Sequence, residues 1–314
     1  MKSTGDLAGN RVRVICGPTA AGKSGIATRL AIEYGGTIIS ADSRQIYRGF
    51  DIGTAKPGSS EMRVVPHRGI DVADPAERYS ASRWATEAKS WIAEAANDGR
   101  VALIVGGTGF YIKALVDPLF DAPPLDPTKR EQLESWMGRQ ATERLREWCA
   151  RIDPAKALLG RVQLARAIEI SLLTGHRLSD LQLASTNTSD RTEFVAHYLV
   201  VDPGGKLGSH IEHRVDAMID AGWTDEVRSL MAHVPDDAPA WKASGYRTMK
   251  SFVSGEIDLS SARARIIIET RQYAKRQRTW FRHQLGAASV TRVNPDDPNC
   301  DAAVERWWKE GVFT

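Results

Sequence analysis

The chain has 314 residues, 42% of them hydrophobic and 26% charged, with a formal net charge of +3, the profile of an ordinary globular protein with room for a sizeable core. No run of 18 apolar residues is present, which excludes a transmembrane helix; Cys16, Cys149 and Cys300 lie too far apart for a CxxC metal site or a disulfide framework. The positive excess is local: residues 261–283 hold seven Lys and Arg against one Glu, leaving the remainder slightly acidic. Such clustering points to a polyanion partner.

In chain order, the polar start MKSTGDLAGN has no apolar signal core and no Arg-rich presequence, so a cytoplasmic protein is expected. Arg11–Cys16 (RVRVIC) is predicted as a strand, 24–34 as a helix with Ile26 and Leu30 on one face, and 37–40 as a second strand. A helix follows over 80–97, with Ser80 as N-cap and Trp84, Ala88 and Trp91 along one side. The apolar run VALIV over 101–105 suits a buried parallel strand. Residues 121–127 (DAPPLDP) mark a boundary. Helices are expected at Pro127–Gly138, 141–150 and 155–174, the last ended by Gly175, and 185–190 (STNTSD) reads as a linker. Residues 197–201 (HYLVV) look like a strand returning to the sheet, and the remainder is read as helical, with turns at 235–239 and Gly255. The pattern predicts an α/β protein: a P-loop NTPase-like parallel sheet flanked by helices over 1–122 and 196–314, with a helical C-terminal segment and an inserted helical domain over 123–195.

Gly17-Pro18-Thr19-Ala20-Ala21-Gly22-Lys23-Ser24 fits the P-loop pattern GxxxxGK[ST], with a predicted strand before it and a helix after it. Glycines let backbone N–H groups wrap a phosphate, and the helix N-terminus adds partial positive charge. Lys23 is expected to reach the terminal phosphates and Ser24 to hold Mg²⁺. The strand over 101–105 ends in Gly106-Gly107-Thr108-Gly109, without the acid that a P-loop ATPase places there. The well-placed acid is Asp42, where the carboxyl ends of parallel strands face a ligand crevice. From the residues alone it could be a Mg²⁺ ligand, a kinase-type base or a base for another acceptor. Independently, Arg271, Lys275, Arg278 and Arg282 at i, i+4, i+7 and i+11 form one basic helical stripe, with Tyr273, Trp280 and Phe281 off it, placed to anchor the helix or to stack.

Several blocks carry a family resemblance. They are Asp42-Ser43-Arg44-Gln45-Ile46-Tyr47, Asp51-Ile52-Gly53-Thr54-Ala55-Lys56-Pro57, Pro66-His67-Arg68-Gly69-Ile70-Asp71 with Asp74-Pro75 and Tyr79-Ser80, and Val105-Gly106-Gly107-Thr108-Gly109-Phe110-Tyr111. Gly245-Tyr246-Arg247 and Arg271-Gln272-Tyr273-Ala274-Lys275-Arg276-Gln277-Arg278-Thr279-Trp280 complete the set. Together, and in this order, they resemble the tRNA dimethylallyltransferases.

The resemblance implies transfer of a dimethylallyl group from dimethylallyl diphosphate to N6 of the adenosine 3′-adjacent to the anticodon, with the anticodon stem-loop of tRNA as partner, Mg²⁺ as cofactor and a monomeric, non-membrane enzyme. It assigns the P-loop and Arg214 to the leaving diphosphate, Asp42 to the base, and Thr19 to the bridging or leaving oxygen. Ser43, Arg44, Gln45 and Thr108 would join Asp42 around a base flipped from its stack. The tRNA contacts would extend to Arg130, Gln163 and Arg166 in the insertion, to Gly245, Tyr246 and Arg247, and to Arg271, Lys275, Arg278 and Arg282. The chain departs from the family at Leu159-Gly160-Arg161-Val162-Gln163, where an Asn-Asp pair usually precedes Gln-Arg, and at His210, where Arg is common. Its end resembles the bacterial form, without a zinc-finger extension. A P-loop small-molecule kinase and a free-adenine-nucleotide isopentenyltransferase are the competing readings; the basic stripe and the GGTGFY block argue against the first, and the long tail against the second.

Overall fold

Apolar strands that alternate with helices and short linkers pair side by side in parallel, and the computed structural model shows this arrangement. It describes residues 11–117, 123, 125–188, 194–285 and 290–310. The polar start lies outside the described residues, as do 121, 122 and 124 of the proline-rich boundary and 189–190 of the linker.

The described residues of Met1–Asp117 and Thr192–Thr314 form one compact unit, and those of Pro118–Arg191 a second. The larger unit opens with β1 (Arg11–Cys16), α1 (Lys23–Tyr34), β2 (Gly36–Ser40), α2 (Ser59–Val64), β3 (His67–Arg68), α3 (Ala81–Asn97), β4 (Val101–Gly106) and α4 (Gly109–Val116). The smaller unit holds α5 (Pro127–Gly138), α6 (Thr142–Ile152), α7 (Arg161–Thr174) and α8 (Leu178–Thr188). The chain then supplies β5 (Val195–Val201), α9 (Leu207–Asp220), α10 (Trp223–Met231), α11 (Tyr246–Val253), α12 (Leu259–Gln284), β6 (Val290–Val293) and α13 (Cys300–Glu310) to the larger unit.

The sheet is six-stranded and wholly parallel, in the order β3-β2-β4-β1-β5-β6. Ile15 of β1 stands between Val105 of β4 and Leu199 of β5. Both faces of a parallel sheet are covered, which is why these strands read as apolar runs. Ile15, Leu30, Ile38, Leu103, Leu199, Val304 and Trp307 share the resulting core. Ser80 caps α3 by accepting from the Arg83 amide at 3.1 Å, and Trp84 of that helix donates to the Ser40 carbonyl at 2.9 Å, fixing α3 to the end of β2.

The structure differs from the sequence expectation in several places. The helix expected over 155–174 is a 3₁₀ turn at Pro154–Lys156 followed by α7, because Gly160 adopts an extended conformation as the N-cap. Helix α8 runs through 185–188, where the sequence predicts a linker, and β5 takes in Val195, the last residue assigned to the insertion. Strands β3 and β6 are additions that the sequence pattern does not predict. Two residues are too few to show a period, and VTRV lies at a sheet edge with one polar alternation.

In the smaller unit, Met137, Leu145, Cys149, Leu164 and Ile168 form a separate core. Buried Asp153 accepts from the Ser179 amide at 2.9 Å there.

Candidate active site

The phosphate loop is built by backbone geometry that most side chains would forbid. Gly17 has φ +145°, and a Cβ there would stand 2.1 Å from the Val201 carbonyl oxygen, so only glycine lets β1 turn this close to β5. Gly22 is left-handed with φ +85° and leads into α1, whose first turn has no side-chain cap. Uncapped N–H groups at a helix start favour an anion. Lys23 Nζ folds back to donate to the Pro18 carbonyl at 2.7 Å.

Two other elements bring charge to this loop. Arg214 comes from α9, its Nη2 3.5 Å from the Thr54 carbonyl, and Asp42 follows β2. Burial pushes the Lys23 ammonium down to about 8; the Arg214 guanidinium pushes the same way and Asp42 opposes both. Burial likewise lowers Arg214, with Asp42 again opposing. Two desolvated cations thus face a single carboxylate, a surplus of positive charge that an anion would neutralise.

Asp42 is held by a turn: its Oδ1 accepts from the Arg44 amide at 2.9 Å. The neighbouring backbone is locked between strands. The Ala41 amide donates to Val105 at 2.8 Å and the Thr108 amide to Ala41 at 3.0 Å, while a Cβ on Gly106 would stand 2.1 Å from the Ala41 carbonyl oxygen. The Ser43 amide donates to Thr108 Oγ1 at 3.0 Å. Tyr273 of α12 lines the cleft beside them, and burial followed by the charge of Asp42 pushes its phenol up to about 12. These groups border a cleft of about 590 Å³ that includes Thr19, Asp42, Arg44, Arg214, Trp223 and Tyr273. Cations, one carboxylate and aromatic faces in one cleft suit a phosphorylated substrate on one side and a flat base on the other.

The loop over 51–57 closes a wall of this cleft. Glu226 of α10 accepts from the Asp51 amide at 3.0 Å, from the Ile52 amide at 2.6 Å and from the buried Tyr246 hydroxyl at 2.6 Å. Lys56, its side chain 3% exposed, bonds Asp51, Asp71 and the Tyr47 carbonyl. Glu226→Ala should therefore lower the unfolding free energy by about 3 kcal/mol, since it leaves several buried or half-buried donors unpaired. Urea denaturation measures this, and an unchanged midpoint would show the loop held by other contacts.

The structure brings Thr19, Asp42, Arg44, Arg214 and Arg247 to the cleft. One expectation needs correction. Tyr246, expected at an RNA surface, is fully buried and packs against Phe50 and Trp223. Arg271 is paired with Glu212, and Arg278 with Asp202 and the Gly204 carbonyl, so the basic stripe is interrupted by the chain's own acids. Lys275 and Arg282 remain exposed on α12. Gln45 is a strut: it accepts from Ser40 Oγ at 2.9 Å and donates to the Ala55 carbonyl at 3.0 Å. Gly245 is buried and left-handed, its amide 3.3 Å from Glu269 Oε2. In the smaller unit, half-exposed Arg130 and Arg166 both pair with buried Glu169, and Gln163 is exposed on α7.

Sequence reasoning misses Gln277 and Glu226 as site builders and reads Tyr273 only as an anchoring or stacking residue. The available signal was positional: Tyr273, Gln277 and Trp280 fall at i, i+4 and i+7 on α12, a stripe distinct from the basic one.

A P-loop at the end of a parallel sheet, with two cations facing one carboxylate, defines a phosphate-binding group-transfer enzyme. The family model for IPP transferase matches residues 45–284, and that for isopentenyl transferase matches 10–68. A tRNA dimethylallyltransferase of Acaryochloris marina is 38% identical over 287 residues, 90% of this chain and 93% of the relative. One from Anaeromyxobacter sp. (strain K) is 39% identical, over 89% of this chain and 92% of its own length. The full-length tRNA isopentenylpyrophosphate transferase of Bacillus halodurans superposes with TM-score 0.64 at 31% identity, covering 96% of this chain and 99% of that one. A eukaryotic dimethylallyltransferase acting on tRNA shares the fold, with TM-score 0.76 at 23% identity over 95% of this chain and 77% of its own. The chain belongs to the IPP transferase family.

Proposed function

We propose that this chain transfers the dimethylallyl group of dimethylallyl diphosphate to N6 of the adenosine 3′-adjacent to the tRNA anticodon, releasing diphosphate and N6-dimethylallyladenosine. The observation that carries this reading is the cleft lined by Thr19, Asp42 and Arg214 at the P-loop, where Lys23 is buried within reach of the charges of both Asp42 and Arg214. In the reaction the C1–O bond of the donor breaks, N6 bonds to C1, and the N6 proton passes to the Asp42 carboxylate. Lys23, Arg214 and the loop amides neutralise the charge that grows on the leaving oxygens, and Thr19 is placed to bond one of them. Phosphoryl transfer uses such a pocket with an acid on the second apolar strand, and β4 ends in glycine instead.

For Mg²⁺ the donor set is sparse. Among the described residues no group of three His, Cys, Asp or Glu could hold a metal, and Ser24 is exposed at the first turn of α1. One hydroxyl fits Mg²⁺ in the manner of sites completed by substrate phosphates and water; bound there, the ion would supply further neutralisation of the leaving diphosphate.

The tRNA surface is assigned to Arg44 and Arg247 at the cleft, to Lys275 and Arg282 on α12, and to Arg130, Gln163 and Arg166 in the smaller unit. Among the described residues no helix is long and apolar enough to cross a membrane; a cytoplasmic, monomeric enzyme completes this reading. Charge reversal at Lys275 and Arg282 should weaken tRNA binding and reduce its salt slope by about 1 for each phosphate no longer neutralised. An unmoved slope in a salt titration would make both residues a solvated face.

The direct test is transfer of labelled dimethylallyl diphosphate to unmodified tRNA in the presence of Mg²⁺, with AMP and ATP as alternative acceptors. Label in the tRNA adenosine is the expected result; label only in nucleotides, or ATP consumption without label, would overturn it.

A further inference from the structure

Helix α12 meets the phosphate loop at one buried side chain. Gln277 is 6% exposed. Its Oε1 accepts from the Thr19 amide at 2.8 Å and its Nε2 donates to the Gly107 carbonyl at 2.9 Å. Thr19 lies in the loop after β1 and Gly107 in the loop after β4, so one amide joins both to a helix from the far end of the chain. The fit is close: a Cβ on Gly107 would stand 2.2 Å from Gln277 Nε2 and 3.4 Å from the Gly17 carbonyl oxygen. About one turn to either side, Tyr273 lines the cleft, and a Cβ on Gly109 would stand 2.2 Å from the Trp280 ring. The inner stripe of α12 is therefore laid over the two loops that border the cleft. Lys275, Arg276 and Arg282 are exposed on the same helix.

The chemistry of the position is selective. Thr19 presents a donor and Gly107 an acceptor, so the residue between them must accept at one end and donate at the other, which a neutral amide of this length does and a carboxylate does not. Thr19 is also a P-loop residue bordering the cleft, so whatever fixes its amide fixes part of the loop that an anion would use.

We propose that Gln277 is a positioning residue that ties the donor loop at Thr19 to α12, so that tRNA bound on α12 and diphosphate bound at the P-loop favour the same loop arrangement; this rests on the prenyl-transfer reading of the cleft. By linkage, tRNA then raises donor affinity by the same factor by which the donor raises tRNA affinity.

The experiment measures binding of dimethylallyl diphosphate and of inorganic diphosphate, each with and without tRNA, in the native chain, Gln277→Met and Gln277→Glu, alongside the KM values for donor and tRNA. In the native chain tRNA should tighten donor binding by about 5–150-fold. In Gln277→Met the donor binds roughly tenfold more weakly and the tRNA effect disappears, while tRNA affinity measured without donor stays at the native value. Gln277→Glu keeps an acceptor for Thr19 but sets a carboxylate against the Gly107 carbonyl and near the diphosphate, so its donor KM rises further; it carries the comparison if Gln277→Met fails to fold. Native donor affinity with a native tRNA effect in a folded variant would overturn the proposal. So would donor and tRNA affinities that fall together with the melting temperature, the mark of a residue that only holds the fold. A native chain that neither binds donor nor labels tRNA would instead remove the site reading itself, and this shows before any variant is compared.

Discussion

Replacing Asp42 by Asn should lower transfer to tRNA by ~10²–10⁴-fold, the usual contribution of a positioned base, while tRNA binding changes little. The adenine amine is a weak nucleophile because its lone pair is delocalised into the ring, and it gains strength only as its proton leaves. Asp42 stands at the carboxyl end of β2 with one oxygen accepting from the Arg44 amide at 2.9 Å. An Asn oxygen can make that bond too, so the turn survives and the loss reports on the carboxylate itself. A second consequence separates a base from a mere counter-charge. Asp42 opposes the depression of both Lys23 and Arg214; neutralising it leaves two cations facing each other and increases the pull on an anion. Donor affinity should hold or rise as the rate falls. Normal turnover in Asp42→Asn would remove Asp42 from the base role, and a parallel loss of donor affinity would make it a structural support of the loop.

The parts of this site that lie within one motif are legible in the sequence, and those that depend on pairing across the chain are not. The P-loop declares itself because its glycines are required by local backbone geometry, as Gly17 shows at φ +145°. Asp42 is legible for a similar reason, since an acid just past an apolar parallel strand has few places to go. Arg271 and Arg278 share the helical spacing of Lys275 and Arg282, yet Glu212 and Asp202, contributed by other segments, take them up. Charge periodicity cannot reveal such partners. Tyr246 is a tRNA contact only by resemblance, as part of the Gly245-Tyr246-Arg247 block; the contacts that bury it come from Phe50, Trp223 and Glu226. Gln277 is the converse case: a polar residue whose importance is visible only once Thr19 and Gly107 stand on either side of it. In the fold, long apolar runs mark β1 and β4 nearly to the residue and β5 to within two, whereas β3 and β6 form because neighbouring strands are already in place to pair with them.

Lys23→Ala should cost ~10²–10³-fold in rate, comparable to losing one preorganised donor at a developing oxyanion, with a weaker grip on the donor. The pH dependence makes the test sharper. The Lys23 ammonium is lowered to about 8, first by burial and then by Arg214. The terminal phosphate of a monoester is ionised with a pKa of roughly 6, so between pH 7 and 9 the donor's charge is constant and the lysine titrates. Donor affinity in the native chain should therefore fall as pH rises through about 8, and Lys23→Ala should be flat over that window. Stability has the opposite sign. A lysine whose folded pKa lies below the ordinary 10.5 releases its proton from the folded state first, so its contribution to stability rises from about pH 8 towards 10.5. The native chain alone should gain stability across that interval relative to Lys23→Ala, while the added stability from bound diphosphate shrinks over the same range. Both trends come from one buried ammonium in the phosphate loop, within reach of the charge of Arg214. If Lys23→Ala kept the native pH profile of donor binding, the titrating group would lie elsewhere and the loop would hold its anion through backbone amides and Arg214 alone.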